Sequence, residues 1–394
     1  VKDATAWARR ADAAYDVLLD RFWDRSRGLF RISTRRGTWP LGSWHYWWQA
    51  HALDCVVDAV ARGREAERER GRQLVRGVLR RNGGDLRNDY YDDLAWMALA
   101  LDRAEAVAGV PSGDLVPQLW AQIRGGWCDG PGGIRWRRAD RYTNAPTNGP
   151  AAILAARRYR VTGDAADLEW ACRITGWLDA TLVDPATGIV WDGIHPDRST
   201  RPNRERYSYN QGTVAAAYQE LVALTGEPGY RERALQVARA GLPDGALPDG
   251  ALPDGALPDG GLPGEGLPDG GLPGAGLPGE GLPAGGGALP DEGLPDGGLP
   301  GAGLPAGRGV LPDEGGGDRA LFKGIYARYA AGLGDPALTA ALAGNGEAAW
   351  SARGPDGLCG QSWTRPPGAD VELSAHLSGV LLLSALAAAD RRGE

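Results

Sequence analysis

Apolar and polar positions divide the chain into twelve helix-length stretches of two alternating kinds. Residues 4–24, 64–81, 113–124, 164–182 and 228–241 carry one apolar stripe against a charged face, the signature of a helix lying on a core. Residues 43–61, 90–108, 147–161, 209–225 and 371–390 are apolar nearly all round, which places each of them inside one. Residues 318–332 are mixed and 336–353 Ala-rich, and they continue the series. Strand signals are few. The alternation predicts an all-α toroid of six inner helices ringed by six outer ones, with Ser43 a candidate N-cap for the second helix.

Connection lengths add a direction to that ring. Tyr159…Thr162-Gly163-Asp164…Leu168 is echoed by Leu224-Thr225-Gly226-Glu227…Tyr230 and by Gly332-Leu333-Gly334-Asp335…Leu338. Each reads as an inner helix stopped by Gly, followed at once by an acidic start to the next outer helix. The outer-to-inner connections are long, roughly 25–42, 82–89, 125–146, 183–208, 242–317 and 354–370. With the inner helices parallel, every long loop falls on one face, at the inner N-termini, and long loops on a rigid scaffold carry function.

The fifth of these loops holds a run of Leu-Pro-Asp-Gly-Ala, Leu-Pro-Asp-Gly-Gly and Leu-Pro-Gly-Glu-Gly pentads, taken as residues 242–314. Its five-residue period excludes collagen, and its composition builds no packed core. We read it as a disordered low-complexity insertion within a single domain spanning 1–394, resembling the loop Gly309-Val310-Leu311-Pro312-Asp313-Glu314 from which it can have grown.

Composition narrows the ligand. A net charge of -7 with no basic block argues against nucleic acid or an anionic membrane as partner. The 15 Trp and 12 Tyr against 3 Phe favour rings with a polar handle, which suit the apolar face and polar edges of a sugar. Cys55, Cys128, Cys172 and Cys359 form no CxxC pair and read as buried thiols, with Cys128 and Cys359 able to pair only in an exported protein. His45, His51, His195 and His376 are scattered without HExxH, so no metal or other cofactor is expected. Val1 opens directly into an amphipathic helix, with no signal peptide or membrane span read from the sequence. A literal reading is cytoplasmic, a truncated start would allow secretion, and the expected state is a monomer.

Chemistry concentrates in Asn88-Asp89-Tyr90-Tyr91-Asp92-Asp93-Leu94-Ala95-Trp96. Acids in a helix's first turn have an ordinary role against its dipole. Here, however, two adjacent carboxylates precede a fully apolar helix, where one pKa should rise and the other fall, as suits an acid and a nucleophile working together. Neighbours about 100° apart on a helix can hold their carboxyls roughly 5 to 6 Å apart, nearer a retaining than an inverting glycosidase.

This run resembles the signature of glycoside hydrolase family 76, the endo-α-1,6-mannanases. So do Gly132-Gly133-Ile134-Arg135-Trp136, Tyr142-Thr143-Asn144-Ala145-Pro146-Thr147-Asn148, Trp191-Asp192-Gly193-Ile194, Tyr207-Ser208-Tyr209-Asn210-Gln211-Gly212 and Leu321-Phe322-Lys323-Gly324-Ile325, in family order. The resemblance implies an (α/α)6 barrel that hydrolyses α-1,6-linked mannose in mannan-type glycans with retention. Asp92 would be the nucleophile and Asp93 the general acid/base. Thr143, Pro146, Gly149 and the pentads depart from the family pattern and bear on sugar subsites more than on chemistry.

Tyr91, Trp47, Trp136, Asn148, Asp192, Tyr209, Asn210 and Gln211 are the candidate substrate-binding residues. Several have plain alternatives: Trp47 and Trp48 as core, Asn148 as a cap, Asp192 as a turn residue before Gly193, Lys323 as a counter-charge. Rival functions are a transglycosidase, an (α/α)6 epimerase or glycuronide hydrolase, and a carbohydrate-binding protein without turnover. The epimerase reading calls for more His or Arg at the inner-helix starts than this chain has.

Overall fold

A computed structural model describes residues 5–35, 44–197, 199, 201–244, 246–247 and 309–393. Ser43 and pentad residues 248–308 lie outside the described residues. Twelve helices are present among the described residues, in chain order α1 (Ala6–Phe22), α2 (Tyr46–Ala61), α3 (Glu67–Arg81), α4 (Tyr91–Ala108), α5 (Leu115–Arg124), α6 (Ala145–Thr162), α7 (Ala165–Thr181), α8 (Ser208–Thr225), α9 (Pro228–Ala240), α10 (Arg319–Gly332), α11 (Pro336–Ser351) and α12 (Leu373–Gly393). Among the described residues four two-residue strands brace the loops. β1 (Trp23–Asp24) pairs antiparallel with β2 (Leu29–Phe30), and β3 (Thr143–Asn144) with β4 (Gly193–Ile194).

The even-numbered helices form the inner ring. α2 packs on α4, α4 on α6, α6 on α8, α8 on α10, α10 on α12, and α12 returns to α2, while each odd-numbered helix lies against the outside of this ring. Burial follows the sequence pattern. Every residue from Leu94 to Leu101 of α4 is buried, whereas the buried apolar residues of α3 are the stripe Leu74, Val75 and Val78. Turns between inner and outer helices close as their residues dictate: Gly163 and Gly226 end α6 and α8 at φ 70° and 73°, left-handed values that glycine adopts without strain. Asp164 and Asp335 then cap α7 and α11 through the amides of Ala166 and Leu338.

Inner helices approach one another closely through glycine. A Cβ at Gly149 of α6 would meet the Thr213 hydroxyl of α8 at 2.6 Å, one at Gly212 of α8 would meet the Tyr326 Cα of α10 at 2.8 Å, and one at Gly324 of α10 would meet the Ser378 Cα of α12 at 2.5 Å. Backbone cannot yield as a side chain can, so Gly324→Ala should destabilise the fold by about 1–3 kcal/mol in urea titrations. Gly344→Ala, on the exposed side of α11 with nothing within 4 Å, should stabilise it by about 0.5–1 kcal/mol.

The two ends of the ring differ. At the C-terminal ends of the inner helices a cavity of about 360 Å³ is lined by Asp54 and Asp58, Arg103, Arg157 and Arg160, Glu220, Arg328 and Arg392. Arg103 and Arg328 each bridge Asp54 and Asp58, and Arg157 and Arg160 share Glu220. The guanidinium groups sit where the helix dipoles present their negative ends. The N-terminal end carries the long loops.

Two sequence readings meet the structure here. All four cysteines are free thiols, Cys172 the least buried of them, and Cys128 and Cys359 form no bridge. The α12 segment Leu373–Arg392 is long and apolar enough to cross a membrane, but its apolar residues from Leu377 to Leu386 fill the ring's interior, where an all-round apolar helix is equally at home.

Candidate active site

Five inner-helix starts converge on one cleft of about 570 Å³. α2 supplies Tyr46 and Trp47, α4 supplies Asp92, Asp93 and Trp96, α6 supplies Pro146, α8 supplies Tyr209, and α10 supplies Arg319 and Phe322. The loops ahead of those helices add His45, Tyr90, Trp136, Tyr142, Asn144, Asp192, Asn203, Glu205, Tyr207 and Asp318. Aromatic faces make much of the wall: Tyr209 stacks on Phe322 at 3.9 Å between centroids, and Trp136 meets Tyr90 edge-on at 5.2 Å. His45, the residue ahead of α2, takes a left-handed backbone at φ 34° and stacks on Trp48 at 3.9 Å. A non-glycine residue held there marks backbone strain beside the cleft.

The two central carboxylates are held differently. Both oxygens of Asp92 accept hydrogen bonds, Oδ1 from the Asp93 backbone amide at 2.9 Å and Oδ2 from the Trp136 indole at 3.0 Å. Asp93 accepts on Oδ2 from the Asn88 side-chain amide at 2.8 Å. Burial pushes Asp92 up to about 7 against the pull of those two donors, with the Asp318 charge adding to the rise. Burial also pushes Asp93 well above the carboxylate range, reinforced by Asp92 and Asp318, with Asn88 opposing; both carboxyls therefore rise, where the sequence predicts that one should fall, because burial acts on the two alike. Donors aimed at a carboxylate favour its ionised form, so Asp92 is the better site for charge and Asp93 for a proton.

A carboxyl whose pKa is raised on folding costs stability as pH climbs from its unfolded value, about 4, through its folded one. Asp93→Asn should therefore melt about 3 °C or more above the parent at pH 8, with the gap closing at pH 4, as differential scanning calorimetry would register.

Asp192 lies across the cleft, accepting from the Tyr142 hydroxyl at 2.6 Å and from the Asn210 amide at 3.4 Å; burial raises it to about 6. Trp47 and Trp48 both donate their indole N–H to Oδ1 of Asp318, at 3.1 and 2.8 Å. Of these two indoles, only Trp47 lines the cleft.

Of the residues singled out in the sequence, Asp92, Asp93, Trp47, Trp136, Asp192 and Tyr209 meet in the cleft. Asn210 stands behind it, fully buried against Asp192. Three others turn away. Asn148 clasps Ile134 through both its N–H and C=O at 2.8 Å and also bonds the Asn144 carbonyl. Gln211 donates to the carbonyls of Gly188 and Val237. Tyr91 is buried under Gly126, its hydroxyl reaching Arg135 and Arg138. Lys323 bonds the Gln361 carbonyl over the Trp363 ring, and burial brings it down to about 8.

Asp318, Asn88, Tyr142, Glu205 and Phe322 escaped notice as site residues, although Phe322, Asn88 and Tyr142 lie within motifs already quoted. Among the described residues no group of three or more His, Cys, Asp or Glu is placed to hold a metal ion.

Comparison with known proteins places the chain in a family. Residues 6–250 match the family model described as glycosyl hydrolase family 76. Over 219 residues the chain is 28% identical to the mannan endo-1,6-alpha-mannosidase DCW1 of Candida glabrata, covering 48% of each sequence. The chain spans about half or less of the length of the curated relatives it matches. The α-1,6-mannanase GH76A of Salegentibacter sp. HEL1_6 superposes with a TM-score of 0.77 at 30% identity, covering 97% of this chain and 99% of that one. An inactive variant of that enzyme, with two consecutive aspartates changed to asparagine and α-1,6-mannotriose bound, superposes equally well at 29% identity and the same coverage. With twelve helices in an (α/α)6 ring and a family match over more than half its length, this chain belongs to glycosyl hydrolase family 76.

Proposed function

We propose that the protein hydrolyses α-1,6-linked mannose in mannan-type glycans with retention of anomeric configuration. The observation that carries this reading is the unequal holding of Asp92 and Asp93 at the floor of an aromatic cleft. Asp92, with a donor on each oxygen, attacks the anomeric carbon and forms a glycosyl ester as the glycosidic C–O bond breaks. Asp93 gives its proton to the departing oxygen, and afterwards takes one from the water that cleaves the ester. Family membership and the α-1,6-mannotriose bound by the Salegentibacter enzyme support the choice of sugar and linkage.

The rest of the cleft fits a chain of neutral sugars. Trp47, Trp136 and Tyr209 offer rings to C–H faces. Asp192, Asn144, Asn203 and Asp318 offer acceptors and amides to hydroxyls. The reading is tested by incubating the protein with linear α-1,6-mannan and following products by size and by proton NMR. Release of short oligosaccharides whose first-formed reducing ends are α supports it. First-formed β ends would make the enzyme inverting, and binding without release would make the protein a carbohydrate-binding module.

A further inference from the structure

The start of α4 spends its capping groups in an unusual way. Tyr90 occupies the N-cap position and Asp93 the third helical position, where an acidic side chain ordinarily folds back onto the N-cap amide. Here Oδ1 of Asn88 takes the Tyr90 N–H instead, at 2.8 Å, while the same side chain's Nδ2 donates to Oδ2 of Asp93 at 2.8 Å. The next amide, Tyr91 N–H, goes to the Trp136 carbonyl at 2.8 Å, and that of Asp93 to Asp92. The orphan donors that would compete for Asp93 are thus occupied by other acceptors.

We propose that Asn88 is a positioning residue for the acid: by capping Tyr90 in place of Asp93 and donating to Oδ2, it leaves Oδ1 of Asp93 as the oxygen that carries the proton toward the leaving group. This inference rests on the retaining reading above. An N–H donor on Oδ2 favours that oxygen as the carbonyl acceptor of the protonated acid, which assigns the acidic proton to Oδ1. In the first step that O–H bond breaks as the leaving oxygen gains the hydrogen, and Asp93 is left as the carboxylate that later activates water. The other titratable groups facing Asp93 are Asp92 on its own helix, Asp318 at the start of α10 and Tyr46 at the start of α2; the Tyr46 hydroxyl donates to the Leu86 carbonyl, and Asn88 is the side chain that donates to Asp93.

The test uses the full chain and two variants. Asn88→Ala frees the Tyr90 amide and lets Asp93 fold back onto it. Its rate on α-1,6-mannan should fall about 100-fold, within the range of general acid catalysis. The burst of dinitrophenol from a dinitrophenyl glycoside of α-1,6-mannobiose, whose leaving group needs no proton, should stay within about threefold of the parent. Asn88→Asp keeps an acceptor for Tyr90 and sets a second carboxylate against Asp93. Its activity should fall less, and the alkaline limb of its pH profile should move up.

A crystal structure of Asn88→Ala should show Asp93 accepting from the Tyr90 amide. Parental activity on mannan in Asn88→Ala, equal losses on both substrates, or Asp93 unmoved in the crystal would each overturn the proposal. If the parent itself fails to cleave mannan, the functional reading falls, and the crystal structure still decides what Asn88 does to Asp93.

Discussion

Replacing Asp92 with Asn should lower kcat/KM on α-1,6-mannan by at least about 10⁴-fold, the scale on which removal of a nucleophile acts. The side chain keeps its shape, and its carbonyl oxygen can still accept from Trp136 or from the Asp93 amide. What disappears is the anion that, on the proposed mechanism, bonds to the anomeric carbon. Truncation separates the two aspartates further. In Asp92→Ala, azide added to the reaction enters from the vacated face and yields a β-mannosyl azide. In Asp93→Ala the glycosyl ester still forms from substrates with good leaving groups, and azide yields the α product. Exchanged stereochemistry between the two variants would reverse the roles assigned to Asp92 and Asp93.

At the opposite end of the ring the largest effect on stability is expected from Arg328→Ala, about 3–5 kcal/mol in urea unfolding. Arg328 bonds Asp58 through both terminal nitrogens, at 2.9 and 3.0 Å, and lies 3.3 Å from Asp54. The side chains of these three residues are only 10 to 13% exposed. Removing the cation leaves Arg103 facing two buried carboxylates, a deficit that water cannot reach to screen. The cost should shrink when either Asp54→Asn or Asp58→Asn is added, which leaves Arg103 with one carboxylate, since the expense lies in uncompensated charge and not in the lost contacts. Because this network closes the barrel end remote from the cleft, KM for mannan should not change in any variant that remains folded.

These two sites sit at opposite ends of the same six helices, and the sequence shows why. Apolar periodicity alone separates α2, α4, α6, α8 and α12 from their outer partners, because a helix buried on every side has no polar face to display. The short Gly-Asp turns and long opposite connections then place the loops together. The Asp92–Asp93 pair was legible for the same reason, as charge at the edge of a helix with nowhere else to be.

The rest of the cleft was less legible, for a geometric reason. Successive residues on a helix point about 100° apart, so a motif at an inner-helix start is divided among several neighbours. In Tyr209-Asn210-Gln211-Gly212, Tyr209 faces the cleft, Asn210 backs Asp192, Gln211 ties down the Gly188 loop and Gly212 admits Tyr326 of the next helix. The motif is contiguous, but its tasks are not. In the same way Asn148 clasps the Ile134 loop, although its position at a helix start gave it equal standing as a hydroxyl ligand.

By itself, then, the sequence determined the twelve helices, the inner or outer kind of all but α10 and α11, the face that carries the loops and the central carboxylate pair. Each of these follows from local periodicity, helix-stopping residues or adjacency along the chain. Only the tertiary structure decided that Asp318 meets Trp47 and Trp48 across some 270 positions, that Tyr142 and Asn210 hold Asp192, and that Asn88 spares Asp93 from capping its own helix. Those pairings depend on where ring closure brings separate helix starts and on which way each side chain leaves its turn, and neither is written in the spacing of residues along the chain.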